Sequence, residues 1–357
     1  MKTYCFRVDG GDVYSIATGH ITRCLKLADF ISRNEKADIY FIMKQYKGGI
    51  ALVEKKYKVL PLSVDLDIPG EIAFIKKAIT DNSYFICDTR NVTKEYVAEI
   101  KKMCLAFVLF DDLGAQGIAS DMLINPTPFC RDDYNYGKYP GTMLCLGEKY
   151  FFANEALLDK AHERHFDKEK YNILASFGGA DPCNITEFFI NNIAPKLKKH
   201  NISIVLGPAY AGKAEVLERY RRIDNINFFT DIFPLDGMLL ENDIAFVSGG
   251  DTCIEACASG AATFIISSIY YEKKIGELLH RNKMAYFVSD IDDIKDNMFD
   301  ESYLDVLAGD KKTLGSISRA GMTLVDSRGL DRVYKLLNDL PNKGRENVHY
   351  NNGIYKN

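Results

Sequence analysis

Hydrophobic positions along this chain alternate between two textures. Short runs with no regular polar interruption occur at 3–9 (TYCFRVD), 38–44 (DIYFIMK), 83–89 (SYFICDT), 104–112 (CLAFVLFDD) and 121–127 (DMLINPT). Each reads as a strand, and the stretches between them read as helices. The clearest is ITRCLKLADFI, where Ile21, Cys24, Leu25, Ala28 and Ile31 recur at three- and four-residue steps and form an apolar stripe on one helix face. Strands without polar alternation, separated by such helices, predict a parallel sheet covered on both faces.

The texture changes over 151–170, which is charged and lacks strand periodicity, so this segment reads as a connector. The alternation then resumes at 171–179, 202–207, 226–231, 243–250 and 261–268, which predicts a second parallel sheet. A last helix is expected from Asp331 to Leu340, with Val333, Leu336 and Leu337 on one face before Pro341, and then a loose polar tail over 341–357. The expected organisation is α/β: a Rossmann-like domain over 1–150, the connector, and a second Rossmann-like domain over 171–340. Such domains bind ligands at the carboxyl ends of their strands, here facing a shared cleft, so functional residues are expected just after strands.

A length of 357 residues supports two cores, since one core rarely grows beyond about 250–300 residues. The net charge of −4 gives no general attraction to nucleic acid or an acidic membrane, yet a local anion site can be built from backbone N–H groups at helix starts. The amino terminus enters a strand at once, without the apolar core of a signal peptide, and no run of about 18 apolar residues follows. A soluble, cytoplasmic protein is expected. Nine cysteines without a CxxC pair read as reduced thiols rather than a disulfide framework or a zinc site.

Two strand ends in the second half carry glycine pairs. One leads into Gly178-Gly179-Ala180-Asp181-Pro182, where glycine permits a turn that points N–H groups at a phosphate; a tight turn with no ligand fits equally. The other is Ser248-Gly249-Gly250-Asp251-Thr252-Cys253-Ile254-Glu255. Thr252 and Glu255 have the spacing of a capping box, while the functional alternative has backbone donors near Gly250 and Thr252 on a diphosphate and Glu255 on ribose hydroxyls. In the first half, the strand carrying Arg7 and Asp9 leads through Gly10-Gly11 to Gly19-His20. His20 is expected in a first helical turn, where the dipole favours the neutral imidazole needed in a general base. His162 and His165 lack a third ligand, and Asp111-Asp112 suits Mg²⁺ and helix capping equally. No metal and no cofactor is assigned.

In order along the chain, FRVDGG, GHITRCLKLA, ICDTR, LFDD, INPT, ILASFGGADPCNIT, SGGDTCIEACASG and VDSRGLDRV resemble the PseG family of UDP-2,4-diacetamido-2,4,6-trideoxy-sugar hydrolases. That family serves pseudaminic acid synthesis and is similar to spore-coat SpsG proteins and, more distantly, to MurG-type GT-B glycosyltransferases. The resemblance spans roughly residues 4–337 and implies a GT-B fold with UDP held mainly by the second domain. It matches His20 to the family's active-site histidine, Gly249, Gly250, Thr252 and Glu255 to its UDP segment, and Gly178, Gly179 and Asp181 to its FGGxDP turn. The chain departs from the pattern at Ala17-Thr18-Gly19-His20, Arg90, Asn154 and Tyr271-Glu272, so the sugar is expected to differ.

The resemblance implies metal-free inverting hydrolysis of a UDP-linked amino-deoxy sugar, with His20 deprotonating water and Asp9 orienting His20 or binding a sugar hydroxyl. A GT-B glycosyltransferase would use the same UDP site with an acceptor hydroxyl in place of water. A UDP-sugar binder without catalysis is the third reading.

Overall fold

The computed structural model describes residues 1–11, 19–90, 92–112, 117–230, 232, 234–295, 301–308 and 310–343. The described residues form two compact units, one from those up to Phe152 together with those from Arg328 onward, the other from those within Ala153–Ser327.

The first unit is built on strands β1 (Lys2–Val8), β2 (Ala37–Lys44), β3 (Lys58–Leu62), β4 (Ser83–Asp88), β5 (Ala106–Phe110), β6 (Met122–Asn125) and β7 (Met143–Leu146). They form one sheet in the order β3-β2-β1-β4-β5-β6-β7, and every pairing is parallel. Successive side chains of a strand point to opposite faces, and here both faces are buried. Tyr4, Phe6 and Val8 join one core with Ile21, Cys24 and Leu27, while Cys5 joins another with Ile42, Phe85 and Tyr96. This double burial is why the strands show no polar alternation. The helix Gly19–Asn34 buries Ile21, Cys24, Leu27, Ala28 and Ile31; Leu27 takes the place expected for Leu25, which is only half-buried.

The second unit carries β8 (Asn172–Ser176), β9 (Asn201–Leu206), β10 (Ile226–Thr230), β11 (Ile244–Val247), β12 (Ala262–Ser267) and β13 (Tyr286–Asp290). Their order is β10-β9-β8-β11-β12-β13, again all parallel. In each sheet the chain winds outward from a central pair, β1/β4 in the first and β8/β11 in the second. The order reverses between those strands, and the crevice at their carboxyl ends is where open α/β sheets receive ligands.

Three strands escape the sequence pattern: β3, β7 and β13. All are sheet edges. β3 is partly exposed and carries Pro61, which an edge tolerates, so its apolar signature is weak, whereas β7 is apolar but only four residues long. The segment read as a connector is packed. Asn154 caps the short helix Glu155–Lys160 by accepting from the Ala156 amide at 3.0 Å, Phe166 lies in the second unit's core, and buried Arg164 donates to the carbonyls of Leu239, Leu240 and Asn242. The final helix runs Gly329–Lys343, through Pro341, and its Leu330, Val333 and Leu337 pack into the first unit's core rather than the second's. All nine cysteines are free thiols. No helix among the described residues is long and apolar enough to cross a membrane.

Candidate functional site

At the centre of the first sheet, β1 and β4 run in register with Val8 opposite Asp88. Asp88 therefore stands at the carboxyl end of β4, beside the point where β1 leaves the sheet toward the helix Gly19–Asn34. That helix supplies His20 in its first turn and Arg23 one turn on. His20 Nδ1 lies 2.8 Å from Asp88 Oδ1, and Arg23 brackets the same carboxylate with Nε 2.6 Å from Oδ2 and Nη2 2.6 Å from Oδ1. Arg23 Nη2 is also 3.0 Å from His20 Nδ1. Guanidinium has no acceptor, so the consistent arrangement has both groups donating to Asp88, with the imidazole proton on Nδ1. Arg23 Nη1 reaches Asp112 at 2.7 Å, and its guanidinium lies over the Phe110 ring.

This geometry works against the helix-start preference for neutral imidazole expected of His20. Burial works against the imidazolium, but the Asp88 carboxylate outweighs burial and holds His20 above its ordinary value. A helix start acts at the level of tenths of a kcal/mol to about 1, less than an adjacent buried carboxylate. Burial likewise opposes ionisation of Asp88, and Arg23 followed by His20 brings it well below the usual carboxylate range. His20 keeps 18% side-chain exposure while Asp88 has 2%. One edge of the imidazole is thus open, and Nδ1 is committed inward.

Asp9 does not orient His20. Its carboxylate is taken by Arg7, at 2.6 and 2.8 Å, and by the Lys44 amide at 2.8 Å. Arg7 is itself buried and shared with Glu71, which also accepts from the Tyr96 hydroxyl at 2.8 Å. The set neutralises a buried charge with partners drawn from the neighbouring strand and two helices. Gly19 opens the His20 helix and is exposed; Ala17 and Thr18 lie outside the described residues.

At the centre of the second sheet, Ser176 and Val247 are paired across β8 and β11. The two glycine turns, some 70 residues apart in sequence, consequently emerge side by side. A methyl placed on Gly178 would stand 3.8 Å from the Ser248 hydroxyl, and Gly178 has φ of +84°, which side-chain-bearing residues rarely adopt. Gly179 has open space where a side chain would go. Asp181, by contrast, is buried: Oδ1 accepts from the Ile185 amide and Oδ2 from the Thr186 amide, both at 2.8 Å. These bonds tie the turn to the helix that follows.

The helix after the second turn runs Asp251–Ala258 with Gly250 at its N-cap and no side-chain cap. Thr252 and Glu255 therefore lie inside the helix, and the capping box their spacing matches does not form. Asp251 is exposed, while Thr252 and Glu255 are half-buried. A further carboxylate joins them. Gly249 approaches the Glu272 backbone so closely that a methyl there would come within 2.4 Å of the carbonyl oxygen, and one on Gly250 would be 3.8 Å from Glu272 Oε1. Glu272 Oε2 accepts from the Ser268 amide at 2.8 Å and the Ser268 hydroxyl at 2.6 Å. Burial pushes the Glu272 carboxyl above its ordinary value against the pull of those donors.

Asn154 caps its own helix and bonds Asp236. Arg90 is exposed beyond the end of β4. Among the described residues no three of His, Cys, Asp or Glu are grouped to hold a metal ion.

The fold is GT-B-like: two Rossmann-like parallel-sheet units of seven and six strands. Solved structures share it across nearly the whole chain. MurG of Acinetobacter baumannii superimposes with a TM-score of 0.66 at 11% identity, covering 94% of this chain and 99% of its own. MnaA of S. aureus with UDP gives 0.67 at 11%, covering 97% and 98%. Anabaena HepE with UDP-glucose gives 0.60 at 10%, covering 95% and 100%. No family model matches the chain. In sequence it is similar to the spore coat polysaccharide biosynthesis protein SpsG of Bacillus subtilis, 24% identical over 93% of this chain and 96% of that protein. It is also 26% identical, over 76% of its length, to an uncharacterized protein of Methanocaldococcus jannaschii, of which it spans 59%.

Proposed function

We propose that this chain is an enzyme of UDP-sugars that transfers the sugar to a nucleophile deprotonated by His20. The observation that carries the reading is the His20–Asp88 pair at the reversal point of the first sheet. With Nδ1–H held by Asp88, Nε2 is left to take a proton, and the raised affinity of His20 for protons makes it a stronger base than an isolated imidazole. The nucleotide is assigned to the paired glycine turns of the second unit, Gly178-Gly179 and Ser248-Gly249-Gly250, with the first turn of the helix Asp251–Ala258 facing a phosphate and Glu255 taking ribose hydroxyls. As His20 removes the proton, the nucleophile oxygen bonds to the anomeric carbon, the carbon–oxygen bond to the diphosphate breaks, and UDP leaves with the electron pair.

Transfer to an acceptor hydroxyl is the reading favoured by the likeness to MurG, and SpsG adds a role in polysaccharide biosynthesis as the setting. Transfer to water, the hydrolase reading, is favoured by the ordered motif set from FRVDGG to VDSRGLDRV. Purified protein incubated with a panel of UDP-sugars separates them. UDP release only on addition of an acceptor marks a transferase; release with an equal amount of reducing sugar and no acceptor marks a hydrolase. UDP-sugar binding with no UDP release under either condition would defeat the catalytic reading and leave a binding protein.

A further inference from the structure

The two glycine turns and the start of the helix Tyr270–Arg281 meet at the carboxyl edge of the second sheet, and every charged side chain they bring is acidic. Segments 177–183, 248–255 and 268–272 contain Asp181, Asp251, Glu255 and Glu272 and no Lys or Arg. Lys273, the next residue, is paired with Asp290. Asp181 is spent on amides of its own turn. Glu272 differs from the others in being fixed: Oε2 is anchored by both donors of Ser268, and Oε1 lies toward Gly250, on a turn with no side chain to cover it.

A diphosphate on this edge thus meets backbone N–H donors on one side and a pinned carboxylate on the other. Two anions that close repel unless a cation or a hydrogen-bond donor lies between them. The geometry points to Glu272 as a specificity-determining residue that selects UDP-sugars carrying a free amino group. This rests on the UDP-sugar reading above and narrows its substrate class. The sugar's ammonium, attached close to the diphosphate, pairs with Glu272 Oε1, whereas a carboxylate-bearing sugar adds a third anion and a neutral sugar offers that oxygen hydroxyl donors only.

Calorimetry on the full chain with UDP, UDP-glucosamine, UDP-glucose and UDP-glucuronate tests it. Wild type is expected to bind UDP-glucosamine at least about tenfold more tightly than UDP-glucuronate, with UDP-glucose between. In Glu272→Gln the spread should shrink to about twofold while UDP itself binds as well or better; Gln keeps an acceptor for the Ser268 amide, so the helix start is retained. Equal affinities of wild type for the amino and acidic sugars, or the same spread in the variant, would overturn the inference while leaving UDP binding intact. Should the variant fail to fold, the wild-type ranking alone decides. Failure of wild type to bind UDP at all removes the UDP-sugar reading and this inference with it.

Discussion

His20 draws its chemistry from a residue 68 positions away, and that dependence can be measured. His20→Asn should cut turnover by about 10²–10⁴-fold, the usual worth of a general base, with UDP affinity nearly unchanged; near-normal turnover would remove His20 from the mechanism. Asp88→Asn should act through pH. With His20 as the base, active once neutral, wild-type kcat/KM is expected to rise through a value above the ordinary imidazole range. Without the charge of Asp88, burial dominates and that limb should move to lower pH, below about 6.5. A limb that stays in place would mean another group titrates. The pair also contributes stability with a definite window. The raised His20 value makes its part present below about pH 6.5 and lost as pH rises through the folded value, while the depressed Asp88 value makes its part present above about pH 3.9 and lost in acid. Urea midpoints of wild type and His20→Asn should therefore differ most between those limits. Asp88 was legible as a strand-end aspartate in ICDTR, but nothing local distinguishes it from Asp9 in FRVDGG. Only the pairing of β1 with β4 selects it.

At the level of elements, the helix Asp251–Ala258 removes one ambiguity. Because Gly250 rather than Thr252 is its N-cap, Glu255 has no capping box to serve, and Glu255→Gln tests its ligand role without the loss of a cap. UDP binding should weaken by about 1.5–3 kcal/mol if the carboxylate accepts from ribose. Unchanged affinity would return Glu255 to a structural role. The glycines of the two turns divide similarly. Gly179→Ala meets open space and should alter stability by less than about 0.5 kcal/mol, yet weaken UDP binding if a phosphate approaches that backbone. Gly249→Ala pushes a methyl into the Glu272 carbonyl and should cost about 1–3 kcal/mol of folding stability whether or not a ligand binds there. Thermal melts with and without UDP distinguish the two.

At the scale of the whole molecule, the chain returns to its first unit at the end. Ending the chain after Ser327 removes Leu330, Val333 and Leu337 from the first unit's core, at about 1.5–3 kcal/mol for each buried side chain. The first unit should become the proteolytically labile part while 153–327 stays resistant; equal resistance of both would contradict the packing. The helix itself was legible from Val333, Leu336 and Leu337, but its destination was not, because an apolar face shows that something covers it without showing what. Local repetition carried the rest of what could be read. Runs buried on both faces announce parallel strands, three- and four-residue steps announce helices, and glycines after strands announce tight turns, since each reports burial or dihedral freedom over a few residues. The strand order, the edge strands β3, β7 and β13, the meeting of Gly178 with Ser248, and the choice of Asp88 for His20 and Glu272 for the glycine turn all depend on contacts between distant segments. Tertiary structure decided these, because a side chain's partner is set by which strands pair, and that energy is spread over the whole sheet rather than written in any one stretch of sequence.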